Sequence, residues 1–216
     1  MVVSTNSPVI QGGNFHLEPF VELCFPILGK YLPADHGYAL FAASVHLIPQ
    51  IRQHKNLCIL TVPGIPDKKG KIIITEQSHL RVRIPIPEIP LIYQLAGKTI
   101  RLGIHDIQIG IPQIYMLKPS TKLKSRIVVI KGFKESQSFL SAAQRQLDEL
   151  EINAQISIPR NNQGEFSRKT IKVKKNTIIG FTTEVFGLND EDSLKLQQKG
   201  IGGKRRMGCG YFVPCK

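Results

Sequence analysis

The chain has 216 residues, of which 42% are hydrophobic and 21% are charged, so it is long enough for one or two compact domains with a core. Its net charge of +13 is high and uneven, since residues 1–117 carry a net of +3 and residues 118–216 a net of +10. Such a basic half favours a polyanionic partner, either nucleic acid or an acidic membrane surface. A basic face that binds no ligand is the alternative.

The cysteines and the N-terminus argue against several classes of protein. The closest cysteines have the spacing C-x5-C, which is not that of a zinc site, so we expect reduced thiols, no metal and no other cofactor. The N-terminus lacks the regions of a signal peptide, and no apolar run is long enough to span a bilayer. The sequence therefore predicts a cytoplasmic protein without a membrane partner, in which residues 1–13 form a loose leader.

The first half, residues 14–117, alternates strands with two helices. A strand is predicted at residues 15–27, and a helix follows with Asp35 as its N-cap and Pro49 as its end. One apolar stripe predicts that helix: Leu40, Ala43, Ser44, Leu47, Ile48 and Ile51. Further strands are predicted at residues 56–62, 71–75, 79–85, 99–104 and 107–117, and a short helix at residues 88–96.

The second half, residues 118–216, repeats this order after a polar, basic linker, KPSTKLKS, at residues 118–125. Its predicted elements are a strand at 126–133, a helix at 138–151, a strand at 154–159, a basic ribbon at 166–175, a strand at 176–188, a helix at 189–200 and a final strand at 211–213. Each half fits strand–helix–strand–strand–helix–strand. The predicted fold is therefore α+β, with two tandem ferredoxin-like domains at residues 14–117 and 118–216.

A glycine-rich loop, GIGGKRRMGCG, lies between the last helix and the last strand. Its spaced glycines, Gly200, Gly202, Gly208 and Gly210, surround the cations Lys204, Arg205 and Arg206. Gly200 is explained as the end of the helix. The others predict close backbone approach, or backbone amides that form an anion-binding concavity. The order helix–loop–strand is the reverse of a dinucleotide-binding loop.

Two motifs resemble a known family. GIGGKRRMGCG resembles the C-terminal glycine-rich loop of the RAMP superfamily of CRISPR proteins, and PADHGYALFAA at residues 33–43 resembles the first helix of its repeat-processing endoribonucleases, the sixth-numbered Cas family, in its short type I branch. The resemblance implies two RRM-like, ferredoxin-like domains. It also implies metal-independent cleavage of the CRISPR precursor RNA within a repeat stem-loop, leaving a 5′-hydroxyl and a 2′,3′-cyclic phosphate. The mature guide RNA would stay bound and join a type I effector complex.

Cleavage through a 2′-hydroxyl needs a proton acceptor, a proton donor and positive groups, and histidine is the natural proton carrier. His36, beside Gly37 in the first turn of the first helix, is the predicted catalytic residue, because family members carry their histidine in or near this helix. A core or capping role is the alternative. Tyr38 could bond the scissile phosphate or only pack. His54, at the end of the helix, ranks behind His36, and His46 is predicted to be structural.

The basic second half is predicted to hold the RNA mostly through phosphates and shape. The candidates are Lys122, Lys124, Arg126, Arg145, Arg168, Lys169, Lys172 and Lys174, together with Lys204, Arg205 and Arg206 of the loop. Strand alternation predicts that Lys172 and Lys174 share one face of the ribbon. For any one of these charges, ordinary solvation is the alternative. The rival function is a non-catalytic RAMP subunit that binds guide RNA, which would not need His36.

Overall fold

The computed structural model describes residues 19–67, 69–161 and 163–215 of the chain. The leader predicted at residues 1–13 lies outside them, as does the start of the strand predicted at 15–27. The elements of the first half are β1 (Phe20–Leu28), β2 (Tyr31–Pro33), α1 (Gly37–Leu47), β3 (Cys58–Ile59), β4 (Ile65–Pro66), β5 (Lys71–Ile73), β6 (His79–Pro85), α2 (Ile89–Tyr93), β7 (Thr99–Leu102), β8 (His105–Ile109) and β9 (Gln113–Met116). Those of the second half are β10 (Lys122–Val128), α3 (Ser136–Glu149), β11 (Gln155–Ser157), β12 (Arg168–Val173), β13 (Asn176–Phe186), α4 (Asp190–Lys199) and β14 (Val213–Pro214).

The first sheet has the strand order of a ferredoxin-like fold. β1 lies at its centre, antiparallel to β6 on one side and to β9 on the other, and β3 pairs with the outer edge of β6. If β1, β3, β6 and β9 are counted along the chain as strands 1 to 4, their order across the sheet is 2-3-1-4. β8 and β7 extend the sheet beyond one end of β1, and β2, β5 and β4 form a small separate sheet.

The second sheet repeats this order as β11–β13–β10–β14, with antiparallel neighbours throughout. β12 pairs with the first part of β13, from Arg168 opposite Phe181 to Val173 opposite Asn176, and so forms a basic hairpin. The two sheets confirm the predicted α+β class and its tandem ferredoxin-like order.

Each sheet has its own hydrophobic core. In the first half, Leu40 and Val45 of α1 and Ile92 of α2 pack in one cluster with the apolar side chains of β1. In the second, Phe139 of α3 and Leu196 of α4 pack with those of β13. The helices therefore cover one face of each sheet, and alternation turns polar side chains of β6 and β10 to the other face. No described helix is long and apolar enough to cross a membrane.

The ends of the helices follow the predicted signals in part. The side chain of Asn189 caps α4 by accepting the Asp192 N–H at 2.8 Å, and Gly200 ends the helix with a φ of 57°. α1 ends at Leu47, two residues before Pro49, as predicted. The N-cap prediction for Asp35 was wrong. Its carboxylate instead accepts the backbone N–H of Lys172 on β12, a contact across the chain that local sequence cannot show.

The segment predicted as a linker is partly a strand. β10 already begins at Lys122 and ends at Val128, whereas the sequence predicted a strand at residues 126–133. Leu123, Ser125 and Ile127 are fully buried and alternate with exposed cations, so the segment is an amphipathic strand. Its basic side chains led to the linker prediction. The domain boundary at residues 117 and 118 stays a prediction.

A buried arginine joins the two halves. Arg83 of β6 is only 2% exposed, and its guanidinium donates to the Glu22 carboxylate at 2.8 Å. The same side chain donates to the carbonyls of Gln197 at 2.7 Å and Phe212 at 2.8 Å, both in the second half. One cation therefore satisfies polar groups from both sides of the interface.

Candidate nucleic-acid interface and active site

The glycine-rich loop, residues 200–210, lies between the two halves and touches the first helix. A Cβ on Gly37, the first residue of α1, would lie 2.2 Å from the Met207 carbonyl oxygen. Gly208 has a φ of 78°, and a Cβ there would lie 2.4 Å from the Thr61 methyl group. Both glycines permit a backbone approach that a larger residue would block. The loop therefore docks the end of the chain on the first half.

Most of the loop's backbone amides are already hydrogen-bonded within the protein. Gly203 and Gly210 donate to the carbonyls of Val129 and Ile127, each at 2.8 Å. Gly202 donates to the Gln146 side chain at 2.6 Å. These N–H groups cannot also bind an anion, so the predicted amide concavity was wrong for them, because they close the loop against the second sheet instead.

The loop arginines hold a segment of the first half, residues 52–55. Arg206 donates to the Arg52 carbonyl at 2.6 Å, and its guanidinium lies over the Phe41 ring at 5.0 Å. Arg205 donates to the carbonyls of Lys199 and Lys55, the latter at 3.5 Å. Lys204 is exposed. Positive side chains from the far end of the chain therefore surround this short segment.

His54 lies within that segment, and one of its two ring nitrogens has no protein partner among the described residues. Its Nδ1 donates to the Glu88 carboxylate at 2.8 Å, and its side chain is 32% exposed. Among the described residues no other hydrogen bond to the ring is found, and Nε2 is not one of the buried polar atoms that lack a partner, so it is accessible to solvent. A carboxylate on Nδ1 fixes the ring orientation and the tautomer, which leaves Nε2 as the nitrogen that can accept a proton. This arrangement can transfer a proton to or from a ligand that reaches Nε2.

His36 has a different environment. It is 2% exposed, its Nδ1 donates to the Pro33 carbonyl at 2.8 Å, and its Nε2 accepts the Val62 N–H at 2.9 Å. Burial lowers the pKa of the ring, and the neighbouring Arg126 lowers it further against the effect of the Pro33 bond. Both nitrogens are therefore used by a neutral ring that ties α1 to the following strand region. A catalytic role for His36 stays a prediction, as does one for the half-buried Tyr38 in the same turn.

A basic cleft of about 450 Å³ lies where the helix-free faces of the two sheets meet. We call it the interdomain cleft; the basic residues that line it are Arg81, Lys124, Arg126, Arg160 and Lys169. The guanidinium of Arg160 lies over the Phe166 ring at 4.1 Å. No carboxylate lines the cleft among the described residues, although Lys124 pairs with nearby Glu184 at 3.0 Å. The cleft suits an extended polyanion.

Residues 21–216 match the family described as Cas6 Crispr, which covers nearly all of the chain. The chain belongs to the Cas6 family. The CRISPR-associated endonuclease Cas6 of Myxococcus xanthus (strain DK1622) is 29% identical over 213 residues, which are 99% of this chain and 89% of that protein. The resemblance that the two sequence motifs indicated is thereby confirmed at the level of the family.

Solved Cas6 structures share the fold at low sequence identity. One CRISPR-associated Cas6 protein superposes with a TM-score of 0.64 at 13% identity, covering 92% of this chain and 99% of that one. A Cas6-related protein of Pyrococcus furiosus gives a TM-score of 0.61, also at 13% identity, covering 92% of this chain and 98% of its own. These neighbours support the tandem ferredoxin-like architecture.

Within this Cas6 fold, the predicted RNA-binding residues do not form one surface. Lys124, Arg126 and Lys169 line the interdomain cleft, while Lys122 lies beside it and pairs with Glu184 at 2.7 Å. Arg168 and Lys172 are exposed on β12. The prediction that Lys174 shares one face of the ribbon with Lys172 was wrong. Lys174 follows the end of β12 in the hairpin turn with a φ of 56°, so strand alternation does not apply to it.

Two more cations lie where the sequence did not place them, one outside the cleft and one inside it. Arg145 lies on α3, where its guanidinium packs at 5.7 Å from the Phe133 ring and outside the cleft. Arg81 lines the cleft from the first half, which the sequence did not indicate. Alternation along β6 was the signal that could have found it, because Leu80 and Val82 face the core.

Replacing Gly208 by alanine is expected to destabilise the Cas6 fold by about 1–3 kcal/mol, because the new methyl group meets Thr61 and the positive φ strains any residue with a Cβ. Urea unfolding of the variant measures this loss. Gly203→Ala is the matched control, since a Cβ there has its nearest neighbour at 3.9 Å and the φ is not positive. Equal losses for the two variants would contradict the proposed docking of the loop.

Proposed function

We propose that this protein is an endoribonuclease that cuts CRISPR precursor RNA within the repeat and so produces mature guide RNA. The family match over residues 21–216 carries the proposal, and it is supported by the Myxococcus xanthus relative, which is named a CRISPR-associated endonuclease. The net charge of +10 in residues 118–216 is the electrostatic footprint expected of an RNA-binding protein.

The proposed chemistry is attack by a 2′-hydroxyl on the adjacent phosphorus, without a metal ion. The new 2′-oxygen–phosphorus bond forms as the bond from phosphorus to the 5′-oxygen breaks, giving a 2′,3′-cyclic phosphate and a 5′-hydroxyl. Nε2 of His54 takes the 2′-hydroxyl proton while the Glu88 carboxylate holds Nδ1, and the departing 5′-oxygen takes a proton from solvent to become the 5′-hydroxyl. Lys204 lies in the loop whose arginines hold residues 52–55, and we infer that its ammonium stabilises the charged phosphorane.

The sequence-based assignment to His36 is the alternative proposal for the base. It would require the ring to leave the Val62 N–H and reach a phosphate from a buried position. His54 needs no such rearrangement, because its Nε2 is already open. We therefore place the proton transfer at His54 and give His36 the task of fixing the start of α1.

The interdomain cleft and its surroundings are the proposed grip on the repeat RNA. Cations on both of its walls can neutralise phosphates of one strand, and each such contact releases counterions. Lys122, Arg168 and Lys172 would add phosphate contacts beside it. We further propose that the mature guide RNA stays bound and that the complex joins the subunits of a type I effector.

The test is incubation of the source organism's CRISPR repeat RNA with the wild-type protein in excess EDTA, followed by mass spectrometry of the products. We expect one cut within the repeat, a 5′-hydroxyl on one fragment and a 2′,3′-cyclic phosphate on the other. Tight binding without a cut would favour the non-catalytic RAMP subunit. Cleavage that EDTA abolishes and Mg²⁺ restores would contradict the metal-independent mechanism.

A further inference from the structure

A second cavity, of about 440 Å³, lies where α1 and α2 end. It is lined by Leu47, Ile48, Tyr93, Gln94, Ala96 and Lys98, and we call it the Tyr93 pocket. None of these residues lies in the interdomain cleft or in the glycine-rich loop. The pocket is therefore a separate concave surface of the first half.

The Tyr93 pocket is linked to His54 through two short elements. Ile48 immediately precedes a short 3-10 helix at Pro49–Arg52, and His54 lies two residues after the end of that helix. Tyr93 closes α2, and Glu88, the partner of His54, immediately precedes that helix. The five residues of α2 rise by about 8 Å along the helix axis. The Tyr93 pocket therefore lies at the far end of the short helix that begins beside Glu88, the partner of His54.

The lining offers what an unpaired nucleobase needs. Tyr93 is 47% exposed and Leu47 is 38% exposed, so a flat ring can stack on a phenol and against an aliphatic side chain. The Gln94 amide supplies a donor and an acceptor for a base edge. The ammonium of Lys98 can pair with the adjoining phosphate. Among the described residues, none makes a hydrogen bond or an ion pair with the side chain of Gln94 or of Lys98. No carboxylate is found among the residues that line the pocket.

We propose that the Tyr93 pocket binds one unpaired nucleobase that flanks the cut in the repeat RNA. A double-stranded stem does not fit this role, because its bases are stacked on one another and hide their faces. The bound base would hold the neighbouring phosphate in place beside His54, so the pocket contributes to the choice of cut position. This inference rests on the proposed RNA cleavage and adds to it a site for a single base.

The test compares the wild type with Tyr93→Ala, Tyr93→Phe and Tyr115→Ala. Tyr115 is also half exposed, at 50%, but lies on β9, so its variant controls for the loss of a surface ring. The substrates are the repeat RNA and a series with one abasic nucleotide at each unpaired position near the cut. Each pair of protein and RNA is measured for kcat/KM and Kd, and thermal unfolding confirms that the variants are folded.

Tyr93→Ala is expected to lower kcat/KM by about 10- to 100-fold and Tyr93→Phe by much less, because the ring remains, while Tyr115→Ala stays within about twofold of the wild type. At one position the abasic RNA should cause a similar loss with the wild type and little further loss with Tyr93→Ala, because ring and base act together. Unchanged cleavage by Tyr93→Ala would overturn the proposal that the pocket binds a base. So would losses from Tyr93→Ala and from the abasic nucleotide that add at every position.

Failure of the proposed function gives a different result. If the wild type binds the repeat RNA but does not cut it, the endonuclease proposal fails, and the pocket is then judged from Kd alone. A Kd raised by Tyr93→Ala, and raised no further by the abasic RNA at one position, would still support a base in the pocket. An unchanged Kd in that case would overturn it.

Discussion

Replacement of His54 by alanine is expected to slow cleavage of the repeat RNA by about 10²- to 10⁴-fold, with the affinity for that RNA unchanged. Among the described histidines, only His54 combines partial exposure, a carboxylate on Nδ1 and neighbouring loop arginines. Single-turnover cleavage with saturating protein measures the rate, and filter binding measures the affinity. Both are needed, because a loss of binding would also slow cleavage.

Two other histidines control this prediction. His46 is exposed on α1, so His46→Ala should cleave at the wild-type rate. His36→Ala leaves the Val62 N–H buried without a partner, so it should lose about 1–3 kcal/mol of stability, while the protein that remains folded still cuts. Full activity of His54→Ala together with a folded but inactive His36→Ala would contradict this assignment and restore the prediction made from sequence.

Replacement of Arg83 by methionine is expected to lower the free energy of unfolding by about 3–5 kcal/mol, the usual cost of removing one partner from a buried ion pair. The variant leaves the Glu22 carboxylate, whose side chain is 13% exposed, without its closest cation. It also leaves the Gln197 and Phe212 carbonyls without their donor. Urea unfolding measures the loss, and a separate early transition for one half would show that the interface fails first.

Arg101→Met is the matched control for the buried arginine. Arg101 is 70% exposed and lies 3.8 Å from Asp106, so its loss should change the free energy of unfolding by less than about 1 kcal/mol. If the two variants lose the same small amount, Arg83 does not join the halves in the way that its contacts indicate.

Local signals in the sequence predicted most of the fold. Gly200 marked the end of α4 and Pro49 marked the end of α1, because helix ending depends on residues within a few positions of the last turn. The order of strands and helices then predicted both ferredoxin-like units. The strand starting at Lys122 was missed, because its outward-facing cations resembled a linker more than a strand inside a sheet.

The candidate site could be predicted only in part, because it depends on contacts between distant residues. The sequence places His36 at a helix start, but not the Val62 N–H that occupies its Nε2. It places His54 at a helix end, but not the arginines from about 150 positions later that surround its segment. Arg83 was missed for the same reason, since its partners in the second half are more than 100 positions away.

The most direct test of the proposed mechanism is the cleavage rate of repeat RNA that carries a single 2′-deoxynucleotide at the mapped cut, measured in EDTA beside the unmodified RNA. Attack by the 2′-hydroxyl predicts that both RNAs bind the wild-type protein equally and that only the unmodified one is cut at that position. Equal cleavage of the two RNAs would contradict the mechanism, because the nucleophile would then be something other than the 2′-hydroxyl that His54 is proposed to activate.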